Sequence, residues 1–90
     1  MLYYATHIMM KPGSKNSQNL VEIDQIYIRD RGWCKKEYLY DYLIQYPKTI
    51  VVDIPPRPYL IPALSINHEK YVRSNPDVYK HDDLLDLPRV

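Results

Sequence analysis

The residues in this chain whose types could do chemistry are one cysteine, three histidines and a cluster of carboxylates near the close. Cys34 stands just before Lys35 and Lys36. A thiol near a helix N-terminus and beside cations is where a thiolate is stabilised. Catalysis by it also needs a base and an oxyanion site, and no such groups stand near it, so Cys34 reads as a structural thiol. His7 lies inside the apolar run Leu2 to Met10 and reads as a half-exposed structural group. His81, Asp82 and Asp83, taken with His68, have the right atoms for a metal. Adjacent carboxylates rarely chelate one ion, however, and the spacing matches no established ligand set. The sequence therefore assigns no catalytic, cofactor-binding or metal-binding residue.

Two further patterns resemble nucleotide or nucleic-acid sites. Pro12-Gly13-Ser14-Lys15 sits in a polar segment, Lys11 to Gln18. A phosphate-cradling loop needs several glycines and a lysine at fixed spacing before a helix, so this segment reads as a flexible loop. Arg29, Arg31, Lys35 and Lys36, together with exposed tyrosines, could contact phosphates and stack on bases. The net charge is only +1, and acidic and basic residues alternate without a basic stripe.

Elements must exist to position these groups. Thr49 to Ile54 is the strongest strand signal, fenced by Pro47 and by Pro55 and Pro56. The reading makes it the central strand, flanked by others, with Ile50, Val52 and Ile54 on one face and Val51 and Asp53 on the other. Leu2 to Met10 is a strand with its even positions, Leu2, Tyr4, Thr6, Ile8 and Met10, on one face. Leu20 to Arg29 alternates and pairs antiparallel with it, setting Val21, Ile23, Gln25, Tyr27 and Arg29 against Glu22, Asp24, Ile26 and Ile28. Asp30-Arg31-Gly32 is a turn. Trp33 to Tyr46 is the one helix, with Leu39, Leu43 and Tyr46 on its inner face and Tyr40 and Ile44 beside them. Cys34 and Glu37 have the spacing of a capping box. Pro55-Pro56-Arg57-Pro58 is a stiff connector to strands at Tyr59 to Asn67 and Glu69 to Ser74. Pro62 marks the first of these as an edge or bulge.

Composition narrows the class. Ninety residues make one domain, 1–90. Ten tyrosines, one tryptophan and no phenylalanine place amphipathic rings at the margin of a small core or on an interaction surface. A single cysteine excludes an internal disulfide and fits a reducing compartment. No secretory leader and no apolar run of the ~18–20 residues needed for a membrane span are visible. The expectation is a cytoplasmic chain with no membrane partner.

The close is the most distinctive stretch: Tyr71-Val72-Arg73-Ser74, then Asp83-Leu84-Leu85-Asp86-Leu87-Pro88. Leu84, Leu85 and Leu87 are expected to dock on the domain through a turn capped by Asp82 or Asp83, with Arg73 paired to Asp83 or Asp86. The rival reading is a leucine motif held out for another protein. The motif resembles the closing signature of a family of short bacterial proteins classed as domain of unknown function 3892. Its members open with a strand similar to Ala5-Thr6-His7-Ile8. The chain differs in Asp82-Asp83, where Asp-Asn is usual, and in its tyrosines and Pro55–Pro58 segment. The resemblance implies a compact fold and transfers no catalytic residue.

Together these observations predict an α+β fold: a small, mainly antiparallel sheet of four or five strands in the order β-β-α-β-β-β, with one helix packed on it. A curled, barrel-like sheet is the alternative. The leading function is a non-enzymatic binding or scaffolding module acting through a tyrosine-rich surface, as a homo-oligomer or with another protein. A nucleic-acid-associated module is the alternative. A small hydrolase or enzyme subunit using His7, Cys34 or His81 ranks third.

Overall fold

Thr49–Ile54 does not have strands on both sides, whereas the N-terminal strand, β1 (Tyr3–Met10), does. In the computed structural model, which describes residues 1–77 and 80–90, β1 pairs antiparallel with β2 (Ile23–Ile28). β2 in turn pairs with β3 (Gly32–Lys35). On its other side β1 pairs in parallel with β4 (Ile50–Val52), giving the order β3-β2-β1-β4. The expected central run is thus short and terminal in the sheet. Its outer edge is nevertheless covered, because Val52 N–H donates to Pro58 O at 2.9 Å and Leu60 N–H to Ile50 O at 2.8 Å. That cover explains why Val51 is buried along with Ile50 and Val52.

Strict alternation fails in both long strands. The buried residues of β1 are Ala5, Ile8 and Met10, and those of β2 are Ile23, Ile26 and Ile28. The register explains this: Ala5 faces Ile28, Ile8 faces Ile26 and Met10 faces Ile23, with Thr6 unpaired in β1 and Asp24 unpaired in β2. A bulge residue resets which face the next side chain takes. Two bulges, one on each strand, therefore keep three apolar pairs directly opposed on the core face.

The helix is shorter than its sequence pattern. α1 spans Lys36–Gln45, and Gly32–Lys35 are a strand instead. The turn between β2 and β3 takes φ 68° at Asp30 and 94° at Gly32, a left-handed geometry that returns the chain antiparallel. Trp33 then pairs with Tyr27 and Cys34 with Ile26. Cys34 is thereby on a strand and caps nothing; the N-cap is Lys35, with no side-chain bond. Leu39 and Leu43 are buried as their spacing predicts, whereas Tyr46 and Ile44 are 49% and 61% exposed.

Beyond β4, β5 (Ile61–Leu64) and β6 (Lys70–Arg73) form an antiparallel two-stranded sheet against which α1 also lies. Pro62 is tolerated because β5 has only one strand partner. The fold is α+β, one helix packed on a mixed four-stranded sheet with a separate two-stranded one, and it closes no barrel. No described helix is long and apolar enough to cross a membrane.

The close of the chain completes the core. Asp83–Asp86 make a 3-10 turn capped by Asp82, and Leu84, Leu85 and Leu87 are buried. Ile8 N–H donates to Pro88 O at 2.9 Å and Val90 N–H to Ile8 O at 3.0 Å. The tail thereby takes the side of β1 that β4, pairing only with Tyr3–Ala5, leaves open. The expected pair of Arg73 with Asp83 or Asp86 does not form. Arg73 Nε donates to Asn75 O, and Asp86 pairs with His81 at 2.7 Å. The segment Lys11 to Gln18 is pinned rather than loose, since Arg89 donates to the carbonyls of Lys15 and Ser17.

Candidate functional site

Where the sheet meets α1, the side chains brought together are mostly aromatic. Tyr38, Tyr42 and Tyr46 recur every four residues and so share one flank of the helix. Their ring centroids are 6.5 Å apart for Tyr38 and Tyr42, and 5.1 Å for Tyr42 and Tyr46. Tyr3, at the start of β1, meets Tyr42 edge-on at 6.4 Å. Arg31, in the turn before β3, lies 5.1 Å over the Tyr3 ring and donates from Nη2 to the Tyr3 hydroxyl at 2.9 Å.

Tyr3, Arg31, Tyr38 and Tyr42, but not Tyr46, rim a cleft of about 530 Å³ whose apolar floor includes Ile28, Leu39 and Ile50. Trp33, Cys34 and Lys35 form its β3 wall. Trp33 is also the end of a cross-strand row, 5.3 Å from Tyr27, which in turn meets His7 at 6.1 Å. The lining holds two cations, Arg31 and Lys35, and no carboxylate. Cavities of this size hold small molecules or anchoring side chains.

The candidate nucleophile lies in this wall but has no base. Neither a histidine nor a carboxylate lines the cleft. Burial pushes the Cys34 thiol above its ordinary pKa, and the Arg31 charge only partly opposes that. Its one hydrogen bond runs to Gly32 O at 3.7 Å. His7 is bonded to Thr6 Oγ1 on β1, and His81 is paired with Asp86 at the tail, so the three residues weighed for hydrolysis occupy three surroundings. Asp82, weighed as a metal ligand, directs both oxygens at donors instead: Ser74 N–H, Ser74 Oγ, Asn75 N–H and Leu84 N–H. Among the described residues no three His, Cys, Asp or Glu side chains gather as a metal site.

The four cations weighed for nucleic acid are dispersed. Arg29 pairs with Asp53 at 2.5 Å and Lys35 with Asp24 at 3.4 Å. Lys36 is 1% exposed, and its ammonium bonds Glu69 and Val21 O. Only Arg31 has no carboxylate partner among the described residues.

The tyrosine ladder was within reach of sequence reasoning. The i, i+4, i+8 spacing of Tyr38, Tyr42 and Tyr46 is visible, but assigning Tyr46 to the inner face hid it. None of the described tyrosines is buried, and Tyr79 lies outside the described residues. No family model matches the chain, and neither does any curated protein or solved structure.

Proposed function

We propose that this protein is a binding module whose working surface is the tyrosine-lined cleft between β3 and α1. The partner is a segment of another protein that presents one apolar anchor beside an acidic residue. One observation carries the reading: Tyr3, Trp33, Tyr38, Tyr42 and Arg31 converge on a single cleft with no carboxylate in its lining. Tyrosine, tryptophan and arginine are the side chains that dominate binding energy at protein interfaces, because they offer large rigid area with a polar tip. An apolar anchor suits the floor of Ile28, Leu39 and Ile50, and a carboxylate suits Arg31. The pairing of Arg29, Lys35 and Lys36 with carboxylates favours this partner over nucleic acid, since counterion release needs unpaired cations. Membership of the bacterial family that the closing motif resembles is part of the proposal. Its support is that Ser74 is bonded to Asp82 and that Leu84, Leu85 and Leu87 of the same motif are buried.

Trp33 is the chain's one tryptophan and lines the cleft, so its emission reports occupancy directly. Short peptides with a leucine or phenylalanine next to glutamate should change that emission saturably, and lysine-flanked versions should not. The effect should vanish in Tyr38→Ala. If the acidic peptides leave Trp33 unmoved while a single-stranded oligonucleotide shifts it with steep salt dependence, the nucleic-acid reading replaces this one.

A further inference from the structure

A second cleft of about 410 Å³ is lined by the first 3-10 turn, β6 and the tail, and shares no residue with the aromatic one. Arg73 lies in its wall at 8% exposure. Only Nε of its guanidinium is bonded, to Asn75 O at 2.5 Å, and the terminal N–H groups have no partner among the described residues. No side-chain nitrogen or oxygen of the described residues is both sealed from solvent and unbonded. The terminal N–H groups therefore keep contact with solvent, and Arg73 is one of the residues lining the cleft. A guanidinium this little exposed, with one N–H bonded and its terminal N–H groups met only by solvent, keeps donors available for an incoming acceptor.

The surroundings add donors and few competing acceptors. Lys80 brings a second cation to the lining, and it forms no ion pair with a described residue. Asn19 accepts the Val21 N–H with Oδ1 at 3.1 Å, which leaves its NH₂ group without a bond to a described residue. The one carboxylate in the lining, Asp82, already accepts from four donors of Ser74, Asn75 and Leu84, so its oxygens are not available to Arg73. Tyr71, Leu20 and Leu85 supply an apolar wall.

We infer that this cleft is an oxyanion-binding site, in which Arg73 takes two oxygens of a phosphate or carboxylate group on a small molecule and Lys80 balances the remaining charge. A planar guanidinium with two free N–H groups on one edge matches such a group in a bidentate fork. The cleft is larger than a lone oxyanion, so the rest of the ligand lies against Tyr71 and Leu85. The site is independent of the proposed partner surface, and either assignment stands if the other fails.

The test is a titration of the intact chain, followed by amide and arginine side-chain resonances, with inorganic phosphate in one arm and acetate in the other at matched ionic strength. Saturable shifts should centre on Arg73 Nε, Ser74, Asn19, Val21 and Tyr71, and leave Arg31 and Trp33 unmoved. Shifts with phosphate alone assign a phosphate ligand; shifts with both assign a general oxyanion site. Arg73→Lys should weaken binding about tenfold through loss of the bidentate fork. Lys80→Gln, on an exposed side chain, should weaken it severalfold without touching the fold. If neither anion shifts these resonances in the wild type, the inference is wrong. The same holds if Lys80→Gln and Arg73→Lys bind phosphate as the wild type does. Should Arg73→Lys fail to fold, the wild-type map and Lys80→Gln decide the matter alone.

Discussion

Around Asp82 and Lys36, charged groups are drawn out of water and matched donor to acceptor; along α1, the rings of Tyr38 and Tyr46 are left against solvent and that of Tyr42 is half-buried between them. Asp82 is 2% exposed and holds four donors, among them the Ser74 backbone, so it ties the end of β6 to the start of the tail. Lys36 is 1% exposed and joins the start of α1 to the first 3-10 turn and to Glu69. Lys11 reaches the same Glu69 oxygen at 2.7 Å, adding the segment after β1. Lys36 thus bridges segments distant in sequence, and Asp82 closes a shorter loop between β6 and the tail. In the tyrosine ladder only Tyr42 packs against the core, while Tyr38 and Tyr46 are mostly exposed and each meets its ring. Groups whose removal breaks the fold and groups free to meet a partner are therefore different residues on different faces.

The largest effect that could break this contrast comes from shortening the chain to end at Lys80. That removes the Asp82 network and the burial of Leu84, Leu85 and Leu87. At about 1.5–3 kcal/mol for each buried leucine, the loss is comparable to the whole stability of a domain this small. The shortened protein should lose its cooperative thermal transition and its dispersed amide spectrum. An unchanged melting temperature would return the leucine segment to the reading of a motif held out for partners.

A smaller effect tests the second bridge. Glu69→Gln removes the charge partner of buried Lys36 and should cost about 2–4 kcal/mol, less than for a wholly buried pair because Glu69 keeps a third of its side-chain surface in water. Chemical denaturation of both proteins measures it. The pH dependence gives the sign independently. The bond from Lys11, and then that from Lys36, hold the Glu69 carboxyl below its ordinary pKa. A carboxyl whose folded pKa is depressed contributes fully above its unfolded pKa of about 4.3 and loses that contribution as pH falls through the folded value. The gap between wild type and Glu69→Gln should be constant from about pH 6 to 8 and close in acid. A gap that widens in acid would mean that Glu69 is stabilising as the neutral form.

These two regions also differ in how far the sequence revealed them. Apolar spacing marked Leu39, Leu43 and the tail leucines correctly, since burial depends on side-chain type and period. The caps and pairs that hold them were less legible. Asp82 was named as a candidate cap, but its hold on Ser74 and Asn75 depends on where β6 ends in space. Lys36 stands at a helix N-terminus, where the dipole disfavours a cation, and the carboxylate that answers its charge lies 33 residues away. The bulges at Thr6 and Asp24 left no local signal at all: both residues are ordinary in a regular strand, and only the pairing shows them unpaired. The apolar character of Trp33 and Cys34 fits helix or strand equally, and the positive φ at Asp30 and Gly32 decides for a hairpin.

The smallest expected effect is the sharpest probe of the contrast, and it comes from one helix. Leu43 and Tyr38 lie five residues apart on α1, one 1% and the other 60% exposed. Leu43→Ala opens a cavity among residues of the core cluster and should cost about 2–4 kcal/mol. Tyr38→Ala removes a larger side chain, yet its ring stacks only on Tyr42 and the cleft rim, and alanine raises helix propensity slightly. The two terms nearly cancel, so the change in stability should stay within about 0.5 kcal/mol. A urea melt of both variants alongside the wild type measures the pair under one set of conditions. The ordering is expected to invert in the peptide titration, where Leu43→Ala, at temperatures that keep it folded, still quenches or shifts Trp33 and Tyr38→Ala does not. If Tyr38→Ala is instead destabilised by as much as Leu43→Ala, the ladder is part of the scaffold. The aromatic flank of α1 would then be the edge of the core, and the partner surface would have to be sought elsewhere.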